Sequence, residues 1–223
     1  MTPLAAAGLH RFYRRGDNEV AALLDVGLDC APGETVAVTG PSGSGKSTLL
    51  QLLAGLDDPD GGTVLVCGQV LSHRSPRDAA RLRARHIGVL TQASGLLDHL
   101  TVVQNVRLAA SLRRSAGGGG GAGADELLDR LGMTAVRSSR PRSLSGGETA
   151  RAGLAVALAG NPDVLLADEP TAEISSAEER DVLDLLQQCR PAEGATVLIT
   201  HSDAVAARAD RVLHLRDGRL VPA

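Results

Sequence analysis

The segment with the strongest structural signal in this sequence is Gly40-Pro41-Ser42-Gly43-Ser44-Gly45-Lys46-Ser47-Thr48. It fits the pattern G-x-x-x-x-G-K-[ST], and it stands between a β-branched run at 36–39 and a helical run at 48–55. Glycines let successive backbone N–H groups turn inward around a phosphate, and a helix amino terminus adds the positive end of its dipole. The segment therefore predicts a phosphate-binding loop between a strand and a helix, with a plain Gly/Ser turn as the alternative.

The composition of the chain singles out the lysine of this loop. All but one of the 23 cationic residues are arginine, and the exception is Lys46. A compact ammonium binds phosphate as a point charge, which a broad planar guanidinium does not replace. We expect Lys46 to neutralise the outer phosphates of a ligand and Ser47 to hold Mg²⁺.

Outside the loop, short apolar runs alternate with helical patterns. Apolar runs at 87–90, 164–167 and 195–200 predict buried strands, and residues 177–188 predict a helix. This alternation indicates an α/β fold with a mostly parallel sheet covered on both faces. Two antiparallel pairs are also predicted, one at 62–70 with a break at Gly68 and one at 211–221 around Asp217-Gly218.

The middle of the chain has a different character. Residues 96–159 are helical in pattern, and the glycines at 117–121 and 123 interrupt them with a loop, because glycine is costly to order in a helix. An arginine-rich stretch at 78–85 predicts another helix. We interpret the helical middle as an insertion between strands of one domain.

Bulk composition limits the classes of function. The formal net charge of −3 argues against a large nucleic-acid footprint, and no apolar run reaches the roughly 18 residues that a membrane-spanning helix needs. The first residues show no basic stretch ahead of an apolar one, so we expect a cytoplasmic protein without a secretory signal. The three cysteines, Cys30, Cys67 and Cys189, are expected to be free thiols.

Two carboxylates follow the apolar run at 164–167. Asp168 and Glu169 would stand at the carboxyl end of a buried strand, where ligands of open α/β sheets bind. Asp168 can hold a metal ion, and Glu169 can orient and deprotonate an attacking water. Alone, the pair would indicate a solvated turn, but the phosphate loop favours the catalytic interpretation.

A second candidate anion site is Leu144-Ser145-Gly146-Gly147-Glu148. The spacing of Ser145 and Glu148 is that of a capping box at a helix start. A serine hydroxyl and two glycine N–H groups at a helix start also bind an anion. Because the first loop already holds one set of phosphates, the anion for this segment must come from elsewhere.

The chain resembles the nucleotide-binding subunit of ATP-binding-cassette (ABC) transporters over nearly its whole length. The matches occur in the family's order: Tyr13, the 40–48 loop, Gln92, Leu144 to Glu148, 164–170 and His201. The resemblance implies a P-loop NTPase core of RecA type at 1–91 and 160–223, with an antiparallel β subdomain. It also implies a helical subdomain at 92–159 that contains the Ser145 segment.

The resemblance further implies a head-to-tail dimer with two ATP molecules at its interface. Each ATP is then bound by the Lys46 loop of one subunit and by Ser145, Gly146, Gly147 and Glu148 of the other. Tyr13 resembles the ring that stacks on adenine, Gln92 the glutamine that reaches Mg²⁺ and the water, and His201 the histidine on the γ-phosphate. Without the other motifs, Tyr13 would suit an edge strand, and Gln92 and His201 would be ordinary surface residues.

The sequence departs from the family pattern at several positions. Ser175 stands where an interface aspartate is usual, and Thr149-Ala150-Arg151 keeps only the arginine of the usual Gln-Gln-Arg. Val156 replaces a later arginine. Since the phosphate-site residues remain, we expect hydrolysis, slower than is usual. Residues 53–57 and 92–106 look most like the subfamily that serves lipoprotein-release and macrolide-export permeases.

The sequence thus predicts an ATPase subunit that dimerises on Mg-ATP and drives a separate integral-membrane permease. It would form a homodimer, or pair with a related ATPase, at the inner face of the cell membrane. One rival is a soluble regulatory or DNA-repair ATPase that acts as a clamp. Another is a small-molecule kinase, which leaves Ser145 to Glu148 unexplained.

Overall fold

The computed structural model describes residues 1–16, 18–91, 95–172 and 174–221. Its larger sheet has six strands in the order β10-β9-β3-β8-β7-β6. All neighbouring pairs are parallel except β9 with β10, which form the predicted terminal hairpin. The strands are β3 (Thr35–Thr39), β6 (Ile87–Leu90), β7 (Val164–Asp168), β8 (Ala195–Ile199), β9 (Arg211–Arg216) and β10 (Arg219–Val221).

A smaller antiparallel sheet packs against the first in the order β2-β1-β4-β5. Its strands are β1 (Leu4–Arg15), β2 (Asn18–Cys30), β4 (Gly61–Val66) and β5 (Gln69–Val70). The sequence patterns predict β4 and β5 but do not locate the long hairpin β1–β2. The reason is visible in its register, which shifts three times between Ala6 and Phe12 and so interrupts the two-residue alternation.

Seven α-helices complete the described part of the chain. They are α1 (Lys46–Leu53), α2 (Pro76–His86), α3 (Val102–Ser115), α4 (Ala124–Arg130), α5 (Gly146–Leu158), α6 (Ser176–Cys189) and α7 (Asp203–Ala206). As expected, the glycines after α3 form a loop, and helices occupy most of the middle of the chain. None of the helices in the described ranges is long and apolar enough to span a membrane.

Two apolar clusters hold these layers together. One lies between the two sheets and α1, and includes Leu4, Leu23 and Leu49. The other lies between the larger sheet and the helices of the middle segment, and includes Leu154 and Leu165. With so few rings in the sequence, both clusters consist mainly of Leu, Val, Ile and Ala. The larger sheet is thus covered on both faces, and the carboxyl ends of its parallel strands all lie at one uncovered end of the sheet.

Candidate active site

A cleft of about 990 Å³ opens at the carboxyl ends of the parallel strands. The predicted residues that line it are Tyr13, Gly40, Pro41, Ser42, Gly43, Gly45, Lys46, Ser47, Thr48, Asp168, Glu169 and His201. Ser44 is buried within the same loop. The fold therefore gathers residues from four distant parts of the sequence into one site.

The phosphate loop runs from the end of β3 to the start of α1, as predicted. Its glycines have positive φ angles, and a Cβ on Gly40 would lie 2.1 Å from the Leu215 carbonyl oxygen. Gly45 is the N-cap of α1 and offers no side chain to cap the first turn. The first amides of α1 thus face the cleft without a side-chain acceptor at the N-cap, which is the arrangement that binds anions.

Lys46 lies across this loop. Its ammonium donates hydrogen bonds to the carbonyl oxygens of Gly40, at 2.7 Å, and Pro41, at 2.9 Å. These bonds hold the charge over the loop, within the cleft that would receive a phosphate. Exchanging two neutral carbonyl acceptors for charged phosphate oxygens would strengthen the bonds, because charge-assisted hydrogen bonds are stronger than bonds to neutral acceptors.

Asp168 and Glu169 lie side by side beneath the loop. Burial, and then the negative charge of Glu169, raise the pKa of Asp168, while Lys46 and a hydrogen bond with Ser47 act in the opposite direction. Asp168 ends β7, and Glu169 follows it in a left-handed conformation with φ 46°. Such backbone strain at a non-glycine residue costs on the order of 1–3 kcal/mol and is concentrated at functional sites.

The carboxylate of Glu169 is fixed by residues that follow β8. Oε1 lies 2.6 Å from Nδ1 of His201, and Oε2 accepts a hydrogen bond of 3.2 Å from the Thr200 hydroxyl. His201 is largely exposed, whereas Glu169 is mostly buried. The two residues proposed from separate motifs are therefore in direct contact, and the carboxylate has a defined orientation toward the cleft.

Tyr13 lies at the opposite end of the cleft, on β1. The Arg11 guanidinium lies 4.9 Å from the centre of the Tyr13 ring and pairs with Asp57 at 2.8 Å and Asp60 at 3.1 Å. The Tyr13 hydroxyl donates to Asp57 at 3.3 Å. Sequence reasoning missed Arg11 and both aspartates, because the loop before β4 that carries Asp57 and Asp60 is remote from Tyr13 in sequence.

The Ser145 segment lies outside the lining of this cleft, at the start of α5. Its capping box is confirmed: the Glu148 N–H donates to Ser145 Oγ at 3.2 Å, and Glu148 Oε2 accepts from the Ser145 N–H at 2.8 Å. One chain therefore does not bring the two predicted anion sites together. Gln92 falls outside the described residues.

Glu178, on α6, contacts this segment and was not predicted from the sequence. Hydrogen bonds from Ser175, and a further one from the Gly147 backbone, hold the pKa of Glu178 below its ordinary value. A Cβ on Gly147 would lie 2.5 Å from Glu178 Oε1, so a larger residue at this position would push the Glu178 side chain aside. The Glu178 carboxylate therefore lies beside the start of α5.

Both the sequence and the fold of this chain are similar to those of known proteins. A family model described as ABC transporter matches residues 23–172. The solved dimer of the ATP-binding cassette MJ0796 bound to ADP and Pi superposes with a TM-score of 0.89 at 30% identity, covering 98% of this chain and 97% of that one.

Curated relatives agree with the structural comparison. YbbA of Escherichia coli, an uncharacterized ABC transporter ATP-binding protein, is 42% identical over 95% of this chain and 93% of its own length. The macrolide export ATP-binding/permease protein MacB of Salmonella typhimurium is 39% identical over 98% of this chain and 34% of its own. The chain spans about a third of the length of MacB and of the related SyfD of Pseudomonas syringae.

Proposed function

Because the chain belongs to the ABC transporter family, we propose that it binds and hydrolyses ATP in a dimer and that hydrolysis drives a membrane permease. The observation that carries this proposal is the meeting of Glu169 and His201, 2.6 Å apart, in the cleft that also contains the Lys46 loop. A phosphate loop alone would serve many reactions. A loop that faces an oriented carboxylate supports attack of water on the terminal phosphate.

Different residues of the cleft bind different parts of ATP. The loop amides and the start of α1 receive the phosphates, and Lys46 exchanges its bonds to Gly40 and Pro41 for bonds to phosphate oxygens. Tyr13 offers a ring for stacking on adenine. Arg11 and Asp57 hold that ring from the side of the β subdomain, which limits its rotation before the base arrives.

The residues around Asp168 fit Mg²⁺. Asp168 and Ser47 both line the cleft and offer the hard oxygen ligands that Mg²⁺ prefers. Asp168 is also partly buried beside Glu169, so a cation there would relieve two neighbouring negative charges. When bound, Mg²⁺ would neutralise charge that develops on the phosphate oxygens. We assign Ser47 and Asp168 as its ligands and keep Gln92 as a predicted third.

Glu169 is proposed as the general base. Its strained backbone and its bonds to Thr200 and His201 hold the carboxylate in one orientation, so that it accepts the proton of the attacking water without rearranging. His201 then has two roles: it positions Glu169, and its exposed ring contacts the γ-phosphate from the same side of the cleft.

A second subunit would complete the site. The Ser145 segment lies outside the cleft of its own chain, and it places the first backbone N–H groups of α5 at a helix start, where anions bind. A head-to-tail copy would bring that helix start to the phosphates of its partner. The dimeric form of the MJ0796 cassette supports this arrangement.

The membrane partner is proposed from the relatives. MacB and SyfD are named as ATP-binding/permease proteins, and this chain matches about a third of each, whereas YbbA, of nearly the same length, is named as an ATP-binding protein. We propose that a membrane permease holds this subunit at the inner face of the cell membrane.

The test is the substitution Glu169→Gln, measured with ATP and Mg²⁺. The variant should lose turnover while it accumulates an ATP-bound dimer, because the phosphate and dimer contacts remain. Glu193→Gln, an exposed residue at the opposite edge of the sheet, is the matched control and should behave as wild type. Normal turnover in E169Q would remove Glu169 from the role of base. A variant that stays monomeric at every concentration, with and without permease, would refute the shared site.

A further inference from the structure

Three residues of types that bind metals lie together at the amino-terminal ends of the parallel strands of the larger sheet, away from the nucleotide cleft. His86 ends α2 directly before β6, and Asp163 directly precedes β7. Cys67 lies in the turn between β4 and β5. The nucleotide cleft lies at the carboxyl ends of the same parallel strands, so the cluster takes no part in the chemistry described above.

The geometry of the cluster suits a metal ion. One nitrogen of His86, the sulfur of Cys67 and a carboxylate oxygen of Asp163 all lie within 4.8 Å of one another. Nδ1 of His86 lies 2.7 Å from Oδ2 of Asp163, whereas Nε2 is buried and has no hydrogen-bonding partner among the described residues. Metal-bound imidazoles show this combination, with one nitrogen held by a carboxylate and a lone pair free on the other.

The backbone holds two of the three residues firmly. The Asp163 N–H donates to the His86 carbonyl oxygen at 2.9 Å, and the Asp163 carbonyl oxygen accepts from the Ala195 N–H at 2.9 Å. His86 is 7% exposed. The imidazole is therefore fixed before any ligand arrives, which lowers the entropic cost of binding.

Cys67 is an unusual residue for its position. Its φ of 47° and that of Gly68, 73°, are those of a tight hairpin turn that favours Asn, Asp or Gly. The cysteine therefore carries a conformational cost that an asparagine would avoid. Strain of this kind at a non-glycine residue is concentrated at functional sites.

The charges around the sulfur set the state of the free site. Burial, and then the negative charge of Asp163, raise the pKa of the Cys67 thiol to about 11, and Arg85 acts in the opposite direction. Arg113 lies near Asp163 and donates to the carbonyl oxygens of Arg85 and Ile87. The free thiol is thus protonated at neutral pH, and a metal ion that binds it must displace that proton.

We propose that Cys67, His86 and Asp163 form a binding site for one zinc ion per chain. Sγ of Cys67 and Nε2 of His86 bind the ion directly, Asp163 holds the imidazole through Nδ1, and water completes the tetrahedron. Sulfur and nitrogen are the ligands that zinc prefers, and the neighbouring carboxylate offsets its charge.

Cobalt is the probe for the test, because a Co²⁺–thiolate bond gives a near-ultraviolet charge-transfer band. Full-length protein freed of metal with a chelator should show this band at one Co²⁺ per chain, and Zn²⁺ should abolish it by displacement. Cys67→Asn should lose the band and bind Zn²⁺ at least about 100-fold more weakly. It should still fold, because asparagine tolerates a positive φ.

The other variants separate ligands from the positioning residue. Asp163→Asn should keep the band but weaken Zn²⁺ binding by about 10- to 100-fold, as loss of an outer carboxylate does. His86→Gln should weaken binding by about 100-fold or more, and Cys189→Ser, which removes a thiol elsewhere, should change nothing. A wild-type protein without the band, or a band that persists in C67N, would overturn the proposal.

Discussion

The phosphate loop offers a test that separates folding from ligand binding, because two of its glycines differ in what surrounds them. In Gly40→Ala the new Cβ would meet the Leu215 carbonyl oxygen at 2.1 Å and Ser44 Oγ at 3.0 Å, at a φ of 151°. Leu215 is paired with Leu220 in β10 and cannot shift freely. In Gly43→Ala no atom of the described residues lies within 4 Å of the new Cβ, although φ is 79°.

These contacts give different expected costs. A positive φ costs an L-residue about 1–2 kcal/mol, and overpacking against a fixed neighbour adds about 1–3 kcal/mol. G40A should therefore lose about 2–5 kcal/mol, a large part of the 5–15 kcal/mol that is usual for a whole domain. G43A should lose only about 1–2 kcal/mol. Its methyl group, however, lies in the lining of the cleft where phosphate must approach the backbone, so ATP affinity should fall at least about tenfold.

Urea denaturation followed by far-ultraviolet circular dichroism measures the first effect, since the chain has no tryptophan for fluorescence. Calorimetric titration with ATP and Mg²⁺ measures the second. Equal stability of G40A and G43A would show that the close approach of Gly40 to β9 is not what requires glycine. ATP binding by G43A with wild-type affinity would show that the phosphate does not approach that part of the loop.

Three further substitutions test the electrostatics of the fold and site. Burial and the charge of Glu169 raise the pKa of Asp168, so Asp168→Asn should raise the urea midpoint at pH 7 without Mg²⁺ and abolish Mg²⁺-dependent ATPase activity in a phosphate-release assay. A backbone hydrogen bond from Thr35, and then the Arg190 guanidinium, hold the pKa of Asp210 below its usual value. Ionised Asp210 therefore stabilises the folded state above the unfolded-state pKa of ~4, and this stabilisation is lost as the pH falls through the folded-state pKa. Between pH 5 and 2, wild type should lose more stability than Asp210→Asn, as measured by urea titration. Arg113→Met should lower the free energy of unfolding by about 3 kcal/mol in urea, because three carbonyl oxygens, two of them in buried hydrogen bonds, lose the Arg113 donor.

Much of the site could be predicted from the sequence because its motifs are contiguous. The phosphate loop needs only local backbone geometry. In the segment 164–169, an apolar run followed directly by two carboxylates indicates the end of a strand. The family assignment from six ordered motifs and the α/β fold class are both confirmed. The domain boundaries and the individual roles of the site residues stay predictions.

The contacts that sequence reasoning missed join residues that are far apart in the chain. Arg11, on β1, meets Asp57 in the loop before β4, and Glu178 meets Gly147 across two helix starts. Neither pair has a spacing rule, since each depends on how separate elements pack. The β1–β2 hairpin was missed for a different reason: its bulges disturb the local alternation that identifies a strand.

The two proposed sites lie at opposite ends of one strand. β7 separates Asp163 from Glu169, and at about 3.3 Å per residue the six steps span about 20 Å. That distance exceeds the Debye length of about 8 Å at physiological salt, and sites more than about 10 Å apart without shared partners usually act additively. Zinc bound at the amino-terminal end of β7 should therefore leave ATP affinity unchanged within about twofold, and E169Q should likewise leave zinc affinity unchanged. A larger effect in either direction would mean that β7 moves as a unit between two positions, and the rigid sheet assumed for both sites would be wrong.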